Sequence, residues 1–102
     1  MICTLTARRV KPGAGDAYHQ AFLDSQDDIP EEVASRWKRV YVCRDVDDPD
    51  LYLTFGLFDG SVQELRRIQG TSGRSTMLSR VEPHVAEVAF DGSFEVLEEL
   101  QR

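Results

Sequence analysis

The stretch Asp45-Val46-Asp47-Asp48-Pro49-Asp50-Leu51-Tyr52-Leu53-Thr54-Phe55-Gly56-Leu57-Phe58-Asp59-Gly60 decides the fold. Asp47-Asp48-Pro49-Asp50 is a turn, because short acidic side chains bond nearby backbone N–H groups and Pro fixes its own φ. Leu51 to Phe58 then reads as a nearly uninterrupted apolar strand rich in aromatics. Asp59-Gly60-Ser61 stops that strand, and Ser61 with Glu64 has the spacing of a capping box for a following helix. Upstream, Trp37 to Arg44, within a longer window from Ser35 to Asp45, supplies another strand. The chain is thus built around a β-hairpin with a helix leaving it.

On the N-terminal side, Ile2, Thr4 and Thr6 alternate with Cys3, Leu5 and Ala7, which predicts a strand over residues 1–9. Lys11-Pro12-Gly13 breaks it. Ala14, Ala17, Tyr18, Ala21, Phe22 and Ser25 then follow helical spacing, and Asp16 in the first turn suits the helix dipole. Asp27 to Glu32 reads as an acidic linker interrupted by Pro30. On the C-terminal side, Val62, Leu65 and Ile68 mark one face of a helix that begins at Ser61. Gly70-Thr71-Ser72-Gly73 reads as a loop, and a short helix with Met77, Leu78 and Val81 follows. His84 to Phe90 is the last strand. Asp91-Gly92-Ser93 reads as a turn and cap for a terminal amphipathic helix with Phe94, Val96, Leu97 and Leu100. The order β-α-β-β-α-β predicts an α+β, ferredoxin-like fold with an extra C-terminal helix, both main helices covering one face of a four-stranded antiparallel sheet.

The 102 residues suit one domain spanning 1–102. A domain of this size buries only about 60–70% of its unfolded surface, so a second subunit would add to a small core. The net charge of −6 disfavours nucleic acid and anionic membrane surfaces as partners, since phosphate binding needs a basic face. No apolar run reaches the roughly 20 residues of a membrane span, and Met1 to Leu5 has a strand pattern rather than that of a signal peptide. A cytoplasmic location is expected. Cys3 and Cys43 lie in strand patterns without a Cys-x-x-Cys motif or a nearby His, and are expected to be buried thiols. The carboxylates at 27–32 and 45–50 lack calcium-loop spacing, so no metal site is expected. There is no phosphate loop, dinucleotide fingerprint or nucleophile elbow.

The strands split into unlike faces. Leu51, Leu53, Phe55 and Leu57, Val40 and Val42, and Ala86, Val88 and Phe90 are aliphatic or nearly so, and these rows are expected to meet the helices. Tyr52, Thr54, Gly56 and Phe58 share the other row of their strand, as do Trp37, Arg39, Tyr41 and Cys43 on theirs. A simply solvated face would carry more Lys, Glu and Ser. The mixed rows are expected to form a second buried surface: a dimer interface, a pocket, or both.

Several of these residues resemble the antibiotic biosynthesis monooxygenase (ABM) domain family. The features are Val10-Lys11-Pro12-Gly13 after the first strand, the helix with Tyr18 and Phe22, and the Asp47-Asp48-Pro49-Asp50 turn leading into Tyr52-Leu53-Thr54-Phe55-Gly56-Leu57-Phe58-Asp59. The resemblance implies a homodimer in which two sheets face one another as an α+β barrel. It also implies cofactor-independent oxygenation of a small aromatic, polyketide or quinol substrate. Haem-degrading members of the family use an Asn near the end of the first strand, a Trp near the end of the third and a His in the helical region after it. This chain has no Asn, places Thr6 or Arg8 near the first position and Phe58 near the second, and has His84 too close to the last strand. That branch of the family is therefore not implied.

Oxygenation without a cofactor needs a substrate that donates an electron to oxygen once deprotonated, as a phenol or hydroquinone does. The protein must hold the ring, take a proton and stabilise the anion. On the expected inner face, Arg39 is the candidate for the oxyanion, Glu87 for the base, and His84 for a further catalytic group. Trp37, Tyr41, Tyr52, Thr54 and Phe58 are the candidate substrate contacts, with Thr4 and Thr6 alongside. The blander alternative pairs Arg39 with Glu87 across neighbouring strands and packs the tyrosines into an interface. The rival function is a non-catalytic small-molecule binding or assembly module on the same barrel scaffold, since fold does not decide function. An apolar cavity with Arg39 and Glu87 pointing in would favour the enzyme; a barrel filled by Trp37, Tyr41 and Tyr52 would favour the rival.

Overall fold

The hairpin forms as its sequence dictates. In the computed structural model, Trp37–Arg44 (β2) and Leu51–Phe58 (β3) pair antiparallel. The Asp45 carboxylate accepts from the N–H groups of Asp47 (2.8 Å) and Asp48 (3.0 Å), and the Asp48 carboxylate accepts from that of Asp50 (3.0 Å). β3 pairs on its other side with Ile2–Val10 (β1), and β1 pairs with Val85–Glu95 (β4), giving an antiparallel sheet in the order β2-β3-β1-β4. Gly15–Ser25 (α1) and Glu31–Ala34 (α2) fill the first crossover, and Val62–Gln69 (α3) and Ser72–Val81 (α4) the second. This is the ferredoxin-like α+β topology. The structure describes residues 1–70 and 72–102, with side chains outside 72–75. Among the described residues no helix is long and apolar enough to cross a membrane.

Local chemistry sets the helices. Gly13 turns the chain at φ 77°, where a Cβ would be strained, and the Ala14 N–H reaches the Lys11 carbonyl at 2.9 Å. α1 then buries Tyr18, Phe22 and Ser25, at the spacing of one helical face. α3 has its capping box: the Glu64 N–H donates to the Ser61 hydroxyl (3.1 Å), and the Ser61 N–H donates to the Glu64 carboxylate (3.2 Å). The core has two clusters between helices and sheet. One holds Val10, Tyr18, Phe22, Tyr52 and Val81; the other holds Ile2, Phe58 and Leu65, with Trp37 and Ile68 against them.

The face of β3 that meets the helices is the reverse of the expected one. Tyr52, Thr54, Gly56 and Phe58 are buried beneath the helices, while Leu51, Leu53, Phe55 and Leu57 are only half-buried on the other side. The reason is aromatic interlock. Tyr52 packs on Tyr18 with ring centroids 5.2 Å apart, and Phe58 packs on Trp37 at the same separation. Val40 and Val42 do lie on the helix side, opposite Gly56 and Thr54. A register shift between Trp37 and Arg39 puts Trp37 on that side too, while Arg39, Tyr41 and Cys43 remain on the uncovered face. Cys3 and Cys43 are both half-buried on this uncovered face, opposite Leu57 and Leu53.

The C-terminal helix does not form. β4 continues through Asp91-Gly92-Ser93 to Glu95, in register with Thr6, Leu5 and Thr4 of β1. The Val96 N–H extends the ladder to the Met1 carbonyl (3.0 Å), and residues 96–102 have no regular structure. An open strand edge outweighs helical spacing here. The acidic linker folds into a 3-10 turn at Gln26–Asp28 and into α2. Of the expected loop at 70–73, Thr71 lies outside the described residues and Ser72 already begins α4.

Candidate functional site

Alternation along β1 turns Thr4, Thr6 and Arg8 toward the helices. Opposite them on β3 stand Gly56, Thr54 and Tyr52, and on β4 stand Ser93, Asp91 and Val88. These rows make a floor of hydroxyls with one guanidinium. The floor does not meet the helices everywhere: a cleft of about 310 Å³ remains. Its roof is mostly apolar, from Phe22 on α1, Ile29 before α2, Val33 on α2, Ile68 on α3, and Met77 and Leu78 on α4, with Gln26 and Gln69 as its polar members. Such a cleft lies at the lower end of small-molecule sites, about 300–1,000 Å³.

Arg8 is the chemical centre of the floor. It is 7% exposed, and its Nη1 donates to the Tyr18 hydroxyl at 3.1 Å and to Thr54 Oγ1 at 3.4 Å. Both acceptors are neutral. Among the described residues no carboxylate pairs with it. A guanidinium carries five N–H donors, and those on Nη2 and Nε bond no described residue. A buried cation without a counter-charge is costly, and an anionic ligand relieves that cost.

Trp37 forms one wall. A Cβ at Gly56 would lie 2.9 Å from Trp37 Cε3, so the bare glycine is what lets the indole lie across the strand. Asp91 stands at the rim. It accepts from the Thr6 hydroxyl at 3.0 Å and also borders a smaller polar recess with Arg66, Gln69 and Ser93. The carboxylates held below their usual range lie elsewhere. Glu64 is lowered by the Ser61 N–H and then by Arg36, Asp48 by Arg9, and Asp28 by Arg80.

The structure brings Trp37 and Thr54 to the cleft, together with Thr4 and Thr6. Tyr52 and Phe58 sit in the two core clusters and do not line it. Arg39 and Tyr41 lie on the uncovered face, where Arg39 donates to the Tyr41 hydroxyl at 3.3 Å and Tyr41 stacks on Phe55. Glu87 is exposed on that face, opposite Arg9. β2 and β4 are the two outer strands, so Arg39 and Glu87 cannot pair across neighbouring strands. His84 ends a 3-10 turn, where its carbonyl accepts from the Lys11 N–H at 2.9 Å. None of Arg39, Glu87 and His84 lines the cleft. Sequence reasoning passed over Arg8 and Asp91 as site residues. The available signal for Arg8 was a charge at the end of the Thr4-Thr6 row.

No family model matches the chain, and no curated protein matches it. Solved structures do match. SnoaB, a cofactor-independent oxygenase from Streptomyces nogalater, is 14% identical with a TM-score of 0.78, over 99% of this chain and 97% of that one. A candidate antibiotic biosynthesis monooxygenase from Deinococcus radiodurans is 12% identical with a TM-score of 0.78, over 100% and 98%. Another from Caulobacter crescentus CB15 is 16% identical with a TM-score of 0.78, over 95% and 90%. The chain therefore has the fold of ABM domain proteins over nearly its whole length.

Proposed function

We propose that the chain is a cofactor-independent monooxygenase of a small aromatic, polyketide or quinol substrate, held in the cleft between sheet and helices. The observation that carries this reading is Arg8, a buried guanidinium without a carboxylate partner among the described residues, on the hydroxyl-bearing floor of a cleft with a mostly apolar roof. Oxygenation of this kind depends on an aromatic oxyanion, and Arg8 stabilises one in a medium of low dielectric. Trp37 offers a ring face for stacking, and the Thr4, Thr6 and Thr54 hydroxyls orient the substrate. Asp91, at the rim, accepts the proton. The anion gives an electron to dioxygen and the two radicals combine. A ring CH₂ becomes C=O, and the second oxygen atom leaves as water with the two hydrogens.

The uncovered face supports a homodimer. Leu53, Phe55, Leu57, Phe90 and Phe94 share it, with Phe90 and Phe94 about half-exposed, and a contiguous apolar row of this kind marks an interaction surface. Arg39, Tyr41 and Glu87 then belong to the contact between two copies. The second reading, ligand binding without turnover, draws on the exposure of Asp91: a base open to water gains little from the cleft. Oxygen uptake by the metal-free protein with hydroquinones and polyphenols separates the two. Uptake above the spontaneous rate, lost in Arg8→Gln, is expected. Absence of uptake across the panel favours the binding module.

A further inference from the structure

We infer that the ligand of the cleft is a bipolar arene, with an acidic oxygen at one edge bound by Arg8 and a hydroxyl at the other given to Asp91. The inference rests on the cleft of the oxygenase reading but concerns the ligand's charge pattern, not its turnover. Three observations carry it. Arg8 is nine-tenths buried, keeps donors that no described residue takes up, and lines the cleft. Asp91 is a carboxylate on the same side of the sheet, and among the described residues its side-chain partner is Thr6. The Arg8 guanidinium reaches Thr54 on β3 and the Asp91 carboxylate stands on β4, and Thr54 and Asp91 both pair with Thr6 of β1 from opposite sides, so two strand spacings, roughly 10 Å, separate those positions. The two groups form no ion pair.

This spacing leaves room for an aromatic ring between a cation and an anion. It would lie over the hydroxyls of the floor, with Trp37 at one wall and Ile29, Met77 and Leu78 above. The two poles select differently. Arg8 can only donate, so it favours a carboxylate or phenolate over an ester or ether. Asp91 as a carboxylate only accepts, so it favours a hydroxyl over hydrogen and repels a second anion. A ligand with acid at both edges is therefore disfavoured, as is one with none.

The test is calorimetric titration without oxygen, with emission from Trp37, the only tryptophan of the chain, followed in parallel. The probes are a naphthoate bearing a hydroxyl on its far ring, the methyl ester of that acid, the naphthoate without the hydroxyl, and a naphthol with an acidified phenol. The hydroxynaphthoate is expected to bind about tenfold more tightly than its ester, the scale of one charge-assisted hydrogen bond. Loss of the hydroxyl is expected to weaken binding about threefold. The naphthol arm distinguishes phenolate from carboxylate as the acidic oxygen. Arg8→Lys should keep the preference for acid, while Arg8→Gln should remove it. Asp91→Asn, at an exposed position, should remove only the preference for hydroxyl.

Equal affinity for acid and ester in the unaltered protein would overturn the inference without any variant. So would a preference for acid that survives Arg8→Gln in a folded protein, or absence of saturable binding by every probe. The oxygenase reading fails separately. Tight, charge-selective binding with no oxygen uptake overturns turnover and leaves this inference standing; uptake with a substrate that carries no acidic oxygen does the reverse.

Discussion

Arg8 Nη1 and the Tyr18 hydroxyl, 3.1 Å apart, join the central strand β1 to helix α1 beneath the cleft. Tyr18 is fully buried, and its ring leans on Tyr52 of β3. One hydroxyl thus fixes the cation of the floor, while the ring beneath it packs the core.

Tyr18→Phe keeps the ring and removes the acceptor. Stability is expected to fall by about 1 kcal/mol, read from urea unfolding. Affinity for the acidic naphthoate should fall severalfold as Arg8 loses its anchor, with affinity for the ester unchanged. An equal loss for both probes would mean that the cleft had deformed as a whole.

Gly56→Ala sets a methyl group against the Trp37 ring, where the Cβ would stand 2.9 Å from Cε3. The indole must shift, at a cost of about 1–3 kcal/mol. A red-shifted emission from Trp37, with a lower urea midpoint, is the expected outcome. Unchanged emission would show that the strand gives way instead.

Acid should weaken the fold through carboxylates held by partners. The Glu64 carboxyl is lowered from its ordinary 4.5 chiefly by the Ser61 N–H and then by Arg36. Asp48 and Asp28 are lowered from 3.8, mainly by Arg9 and Arg80. A carboxyl lowered on folding contributes stability above its unfolded value, and that contribution is lost as pH falls toward the folded one. The urea midpoint should therefore hold near neutrality and decline below about pH 4.5. Glu64→Gln should start from a lower midpoint at pH 7 and decline less steeply; an identical slope would remove Glu64 from the account.

Sedimentation at micromolar concentration should give a dimer. Phe90, 47% exposed and stacked on Phe94 at 6.0 Å, lies on the uncovered face. Phe90→Asp should shift the protein to monomer with its circular dichroism retained. A monomeric starting protein would contradict assembly through this face.

What the sequence made legible was local. The Asp45–Asp50 turn, the capping box of α3 and the buried stripe of α1 depend on residues within a few positions of one another. Alternation in β3 separated its two faces correctly, but aliphatic character pointed to the wrong one as inward, because the aromatic row is apolar enough to be buried as well. Long-range partners decided that: Tyr18 for Tyr52, and Trp37 for Phe58. The helical spacing of Phe94, Val96, Leu97 and Leu100 is present in the sequence, but β1 offered a strand edge instead. The same extension turned Asp91 from a turn residue into one at the rim of the cleft. Arg8 was visible as a charge in a strand, but its meaning depends on Tyr18 and Thr54, ten and 46 residues away.

Floor and roof of the cleft come from different kinds of structure. The floor is one hydrogen-bonded sheet, in which moving a residue disturbs three strands at once. The roof is assembled from side chains on short helical pieces in two crossovers. Replacing Ile29, Val33 or Met77 alters the outline of the space without touching the register of β1. Inherited change can therefore reshape what fits while the guanidinium of Arg8 stays where it is, so descendants of this chain would diverge in the size of their ligands sooner than in the charge of the floor.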